Sequence, residues 1–293
     1  MEQISLRQCP PNKAIVLQNE TCPYCGVELT ETNSDNDHVI ARRFVPKGAL
    51  NEEWNLILRA CKTCNNNKSD LEDDISAITL QPDAWGQYAR ADTLRDNEAR
   101  RKGRRSRSRR TGKKVEDSKE RIDIDLPVVS GVTFSFSATS PPQLGDERAF
   151  TLCHYQIRAF FYWITYNGDS QRGGFWLGDF VPLLLAPRSD WGNSLHRAFM
   201  DAVRNWPVRI LGATASGYFK ISIRRHPSAT CWSWAVEWNE NTRIVGFFGE
   251  RAIIDQLVAS FPVIHQSVVA CGNQVTRFRE ETRLHEDDDR LFS

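Results

Sequence analysis

Apolar and polar positions alternate with two periods along this chain, and the points where the period changes outline its elements. Residues 36–41 and 55–60 read as short strands set between polar, turn-rich stretches. Residues 63–77 read as a helix, punctuated by Gln81-Pro82, because proline disfavours helix in the residue before it. Residues 83–99 are polar and tolerant of helix. From residue 121, "IDIDLPVV" and "VTFSFSA" alternate as strands do. "RAFTLCHYQIRAFFYWITY" puts Phe150, Cys153, Ile157, Phe160, Phe161 and Ile164 on one helical stripe. Strands follow at 218–224, 230–238 and 243–248, then a helix near 250–260. In "CWSWAVEW" the alternation sets Trp232, Trp234, Val236 and Trp238 on one face, expected to pack on that last helix. The acidic end, "HEDDDRLFS", reads as a frayed tail.

The pattern predicts an α+β protein in several parts. Residues 1–82 form a first domain and 83–120 a helical, then basic, linker. Residues 121–283 form a separate α+β domain, and 284–293 an acidic tail. With 293 residues, 40% of them apolar and 26% charged, the chain is long enough to bury a core without covalent staples. The longest apolar runs, "AFFYWI" and "FVPLLLAP", are too short to span a bilayer, and the N-terminus lacks a basic start followed by an apolar run. The expected setting is cytoplasmic, without a membrane partner.

Net charge is only +1, but it is unevenly placed. Residues 1–99 hold ten basic and sixteen acidic side chains, whereas Arg100–Lys114, "RRKGRRSRSRRTGKK", holds ten basic and no acidic ones. This tract is too poor in apolar residues to make a core and is expected to be mobile when free. Its Arg104, Arg105, Arg107, Arg109 and Arg110 are candidates for binding a phosphate backbone without reading sequence.

The cysteines sharpen the picture. Cys22-Pro-Tyr-Cys25 and Cys61-Lys-Thr-Cys64 are two C-x-x-C knuckles, and two such turns complete a tetrahedron around zinc. Gly26 permits the tight backbone after the first knuckle. In a reducing compartment, paired cysteines favour metal over disulfide. A structural zinc with four thiolates needs no further ligand, so Asp37 and His38, inside the loop that the knuckles close, are left for other chemistry.

Asp37-His38, then Asn55-Leu56, then Cys61-x-x-Cys64-Asn65-x-x-Lys68 resembles the HNH endonucleases over about residues 20–75. The resemblance implies a ββα-metal fold, cleavage that leaves a 5′-phosphate, DNA as substrate, and a bacterial or phage role in restriction, defence, homing or DNA packaging. Two positions depart from the pattern. Ala41 stands where many members have proline, and Asn65 stands at the last signature position, where asparagine is a familiar variant. The chemistry follows from the residue types. A neutral histidine, His38, suits the removal of a proton from water near neutral pH. Magnesium or manganese takes oxygen ligands, which Asp37 and Asn65 supply. Asn55 is expected to set the angle of His38 through side-chain to backbone bonds. Lys68, Arg42 and Arg43 are expected on phosphate oxygens.

Two other readings stay open. One is a zinc-stabilised nucleic-acid adaptor that no longer cuts, supported by Ala41. The other is a nuclease effector gated by a C-terminal sensor, which predicts that residues 1–120 alone cut more freely than the full chain. Residues 121–283 carry no catalytic signature and are assigned by exclusion to target choice, sensing or homo-oligomerisation.

Overall fold

The computed structural model describes residues 6–83, 86–129, 132–264, 267–271, 274–278 and 280–293, with backbone alone for 120–138 and 267–278. It is α+β. The first sheet is built from β1 (Ile15–Val16), β2 (Ser34–His38) and β3 (Leu56–Cys61), with β3 in the middle. β2 runs antiparallel to β3, which sets Asp37 opposite Leu58 and His38 opposite Ile57. β1 pairs with the other edge of β3 in parallel. Helix α1 (Lys62–Thr79) begins as β3 ends, so strand, strand and helix follow in the expected order. β2 stops at His38, short of the expected end at 41. Val39 and Ile40 turn fully into the core instead of continuing the pleat.

Helix α2 (Thr93–Arg105) comes next, its N-terminus capped by the Asp92 carboxylate, which accepts from the backbone of Leu94 and Arg95. A hairpin of β4 (Glu120–Val129) and β5 (Val132–Ser140) leads to α3 (Asp146–Ile164). The remaining described strands and helices are β6 (Asp179–Pro187), α4 (Ser194–Val203), β7 (Val208–Thr214), β8 (Phe219–Arg225), β9 (Cys231–Trp238), β10 (Thr242–Gly249) and α5 (Arg251–Val258), followed by a hairpin of β11 (Ser267–Cys271) and β12 (Gln274–Phe278). Five of these strands make an antiparallel sheet in the order β6-β10-β9-β8-β7. No element was expected at β6, which carries Pro182 and Pro187. The sheet takes it as an edge, and Pro182 lies opposite Gly246 beside a register shift.

Every residue of β9 is buried, because the sheet is covered on both sides. Trp232, Trp234, Val236 and Trp238 join the cluster that contains α3, not α5 as expected. Cys231 and Ala235 join the cluster that contains Ile254 of α5. Trp238 donates its indole N–H to Gln156 of α3 at 3.0 Å, and Phe161 meets Trp232 edge to face at 5.3 Å. The predicted α3 stripe is therefore real, but burial extends beyond it to residues such as Leu152, Gln156 and Tyr162, since another side of the helix meets α1.

The first and last parts of the chain share this core. Tyr24, Phe44, Leu56, Leu58 and Ile75 belong to the same cluster as Phe160, Ile221 and Trp238. Phe44 stands edge-on to Trp238 at 5.5 Å. Trp54 donates to the Ala213 carbonyl at 2.7 Å, and buried Asn239 donates to Thr79 Oγ1 at 2.8 Å. A Cβ on Gly212 would meet the Trp54 ring at 2.8 Å, so β7 admits this indole only at a glycine. The boundary expected at residue 120 is thus crossed by a continuous apolar core. The acidic end is not frayed either. Leu291 is buried, Asp289 pairs with Arg243, and Arg224 donates to the Ser293 carbonyl at 2.9 Å.

Acid should loosen this fold through His196 of α4, which is fully buried. Burial, then the Arg243 guanidinium, pushes its imidazole from 6.5 down to about 4; Arg197 acts in the same direction and Asp289 against it. The unfolded chain binds the proton near 6.5 and the folded chain only near 4, so this contribution is complete above that window and is lost as pH falls through it. It amounts to on the order of 3 kcal/mol. The His196→Leu variant should lose less thermal stability than wild type between pH 6.5 and 4.5. Parallel melting curves for the two proteins would contradict the assignment.

Candidate functional site

The first knuckle is a tight turn. The Cys22 amide donates to the Val27 carbonyl and the Gly26 amide to the Cys22 carbonyl, both at 2.8 Å, with Gly26 at a φ of +77°. Cys61 ends β3, and Cys64 lies in the first turn of α1. The sulfurs of Cys22, Cys25, Cys61 and Cys64 all lie within 4.8 Å of one another, and Cys25 Sγ is 3.7 Å from Cys61 Sγ. A tetrahedron of sulfurs bonded to zinc at about 2.3 Å has edges of about 3.8 Å, so the spacing fits that ion and not a disulfide. Burial pushes the Cys22 thiol up to about 11, and burial with the neighbouring Cys22 pushes Cys64 up as well. At Cys61 burial is outweighed by hydrogen bonds from the neighbouring cysteines, which lower its pKa, so the cluster already favours one thiolate, and a divalent cation would favour the others. The four cysteines therefore form a cluster able to hold a metal such as zinc.

Tyr24, between the two cysteines of the first knuckle, was not singled out by sequence reasoning. Its ring is buried edge-on to Tyr155 at 5.0 Å, and its hydroxyl donates to Asp37 Oδ2. The other carboxylate oxygen, Oδ1, accepts from Lys68 Nζ at 3.0 Å. Lys68 also donates to Glu72 Oε1 at 2.7 Å and to the His38 carbonyl at 3.0 Å. Glu72 was also missed, although its spacing of four from Lys68 on a helix is a pairing signal. Burial opposes the charge on Lys68, but Asp37 and Glu72 outweigh it and raise its pKa. Burial raises the pKa of Glu72.

This arrangement corrects two expectations. Lys68 is 1% exposed, and its three N–H bonds all have acceptors in the protein, so it has no donor left for a phosphate. Asp37 is 5% exposed, with both oxygens engaged. A magnesium or manganese ion on Asp37 would sit against the Lys68 ammonium, so the Asp37/Asn65 pair does not fit such an ion as these side chains are placed. Asn65 is half-buried in the first turn of α1, one turn before Lys68 on the same helix face.

Asn55 does hold the backbone after His38. Its side-chain amide donates to the Ile40 carbonyl at 2.8 Å, and its oxygen accepts from the Ile40 amide at 3.3 Å. His38 ends β2 with its Nε2 buried and without a hydrogen-bond partner among the described residues. Burial, then the Arg42 guanidinium, lowers its pKa, against the pull of Asp37, which favours the neutral ring.

The basic tract is not a mobile linker. Its first six residues complete α2, and the segment lies along α1. Lys102 is buried and donates to the Arg43 carbonyl and to Ser76 Oγ, Ser106 Oγ donates to Asp73 at 3.2 Å, and Arg109 pairs with Asp70 at 2.6 Å. Burial pushes Lys102 down to about 8. Other charges in the tract are matched within the chain: Arg100 with Asp96, Arg101 with Glu98, and Arg104 with Glu116 at 3.5 Å. Arg42, Arg105, Arg107 and Arg110 are exposed, as is Arg43, which donates to the Ser69 carbonyl at 3.1 Å.

If the cluster holds a structural metal such as zinc, replacing Cys61 with serine should remove it, and with it the order of β3 and the start of α1, because such a metal's binding energy is folding energy. Elemental analysis and circular dichroism together check this; an unchanged spectrum with full metal content would refute it.

Comparison with protein-family models, with curated proteins and with solved structures found no match to this chain.

Proposed function

We propose that this chain is an HNH-type endonuclease that hydrolyses phosphodiester bonds in DNA with His38 as general base. The observation that carries this reading is the His38 ring itself. Burial favours its neutral form, its Nε2 has no partner among the described residues, and Asn55 bonds both the amide and the carbonyl of Ile40 in the following backbone. A base must be unprotonated and held in place before its substrate arrives, and these features support that role for His38. In the reaction, the water oxygen bonds to phosphorus as the bond to the 3′ oxygen breaks. The water proton passes to the His38 imidazole, and solvent protonates the 3′ leaving oxygen. The product carries a 5′-phosphate, as the resemblance to HNH enzymes implies. Arg42 and Arg43, exposed just after the histidine, and the exposed arginines beside α1 are suited to the phosphate backbone. Restriction, defence and homing in bacteria or phage are the settings that the resemblance suggests.

A second reading, the non-cutting nucleic-acid adaptor, is favoured by one specific observation: Asp37 has both oxygens engaged within the protein. Plasmid incubated with the zinc-loaded protein and magnesium or manganese separates the two. The wild type should nick or linearise the plasmid, and His38→Ala should cut at least about 100-fold more slowly while still retarding DNA in a gel. Equal plasmid survival with both proteins would leave the adaptor.

The gated-effector reading predicts a freely cutting fragment of residues 1–120. That fragment would expose Phe44, Trp54 and Ile75, which the later part of the chain covers. It should therefore aggregate rather than cut. A monomeric fragment more active than the full chain, seen by size exclusion and plasmid assay, would restore the gated reading.

A further inference from the structure

The conflict at Asp37 has a geometric form. Three oxygens converge on one point: Asp37 Oδ1 at 3.0 Å, Glu72 Oε1 at 2.7 Å and the His38 carbonyl at 3.0 Å. The point is occupied by the Lys68 ammonium, which is buried with both carboxylates. Such a set of hard oxygens, two of them from carboxylates, is the kind that divalent cations take at about 2.0–2.6 Å, so a contraction of at most about 1 Å would convert the surroundings of an ammonium into those of a metal ion. The two cations cannot share the place. A divalent ion next to a fixed ammonium is repelled strongly where the surroundings exclude water. Tyr24, donating to the far oxygen of Asp37, keeps that carboxylate turned toward the same point.

We propose that Lys68 is a built-in cation that fills the oxygen cage of Asp37, Glu72 and the His38 carbonyl, and so keeps divalent ions off Asp37 until its ammonium leaves. The cage lies beside the proposed general base, but the inference concerns ion binding and not cleavage. It has two consequences. The folded, DNA-free protein binds divalent ions weakly at Asp37. Removal of the ammonium leaves two buried carboxylates with a cation-sized gap between them, which a divalent ion can fill.

The probe is Mn²⁺, titrated into full-length, zinc-loaded protein and followed by electron paramagnetic resonance and by melting temperature. Wild type should show no Mn²⁺ site that Asp37→Asn removes. Lys68→Met should bind one Mn²⁺ at least tenfold more tightly than wild type and should melt higher in its presence, and the double variant Lys68→Met/Glu72→Gln should lose that gain. If Lys68→Met folds only when Mn²⁺ is present, that dependence supports the cage. The proposal is overturned if Lys68→Met binds Mn²⁺ no more tightly than wild type. It is equally overturned if wild type, with Lys68 intact, holds an Mn²⁺ that Asp37→Asn abolishes, a result that does not depend on the Lys68 variant folding. Because the readout is ion binding, the proposal and the nuclease reading can fail separately.

Discussion

The buried contact of Asp37 with Tyr24 and Lys68 ties together the three parts of the N-terminal site. Tyr24 belongs to the first cysteine knuckle, Asp37 to β2, and Lys68 to α1. A charge this deep is tolerated only when paired and fully hydrogen-bonded, and removing one partner of such a pair costs about 3–5 kcal/mol. The knuckle therefore holds more than its own loop. Through Tyr24 it fixes the carboxylate that precedes His38, and through Lys68 that carboxylate fixes the helix bearing Asn65 and Cys64. Order in the cysteine cluster and order at the candidate base are thus coupled by one short chain of hydrogen bonds.

The second constraint is that this small unit does not stand alone. Its sheet has three strands, one of them only two residues long. α3 lies between α1 and the tryptophan face of the large sheet, so a helix from the later half completes the core under the site. Arg158 of α3 donates to the Tyr24 carbonyl, which brings the same helix to the knuckle. Arg148 of α3 reaches Asp74 of α1 at 2.8 Å. Residues 121–283 therefore take part in building the candidate site, whatever further role they have.

Much of this was legible from local pattern. The knuckle spacing, the α1 helix, the α3 stripe and strands β8 to β10 follow from short-range periodicity and turn chemistry, which the backbone enforces wherever those residues occur. The grip of Asn55 on the loop after His38 was also anticipated from residue type and order. β6 was not, because proline argues against strand unless the strand lies at an edge, and edge position is a property of the whole sheet.

By itself, the sequence determined which side chains could do chemistry and on which short elements they sit. Tertiary structure alone decided what each of them touches. The basic tract read as free charge because the acids that answer Arg104 and Arg109, Glu116 and Asp70, come from outside it, and Asp70 lies on another helix. Lys68 read as a phosphate contact because nothing in "NNNKSD" reveals that Asp37, thirty-one positions earlier, would accept its hydrogen bond. Charges act through space and are screened or paired by whatever the fold brings near. Periodicity therefore survives the passage from sequence to structure, whereas the role of an ionisable group is set only when its neighbours are in place.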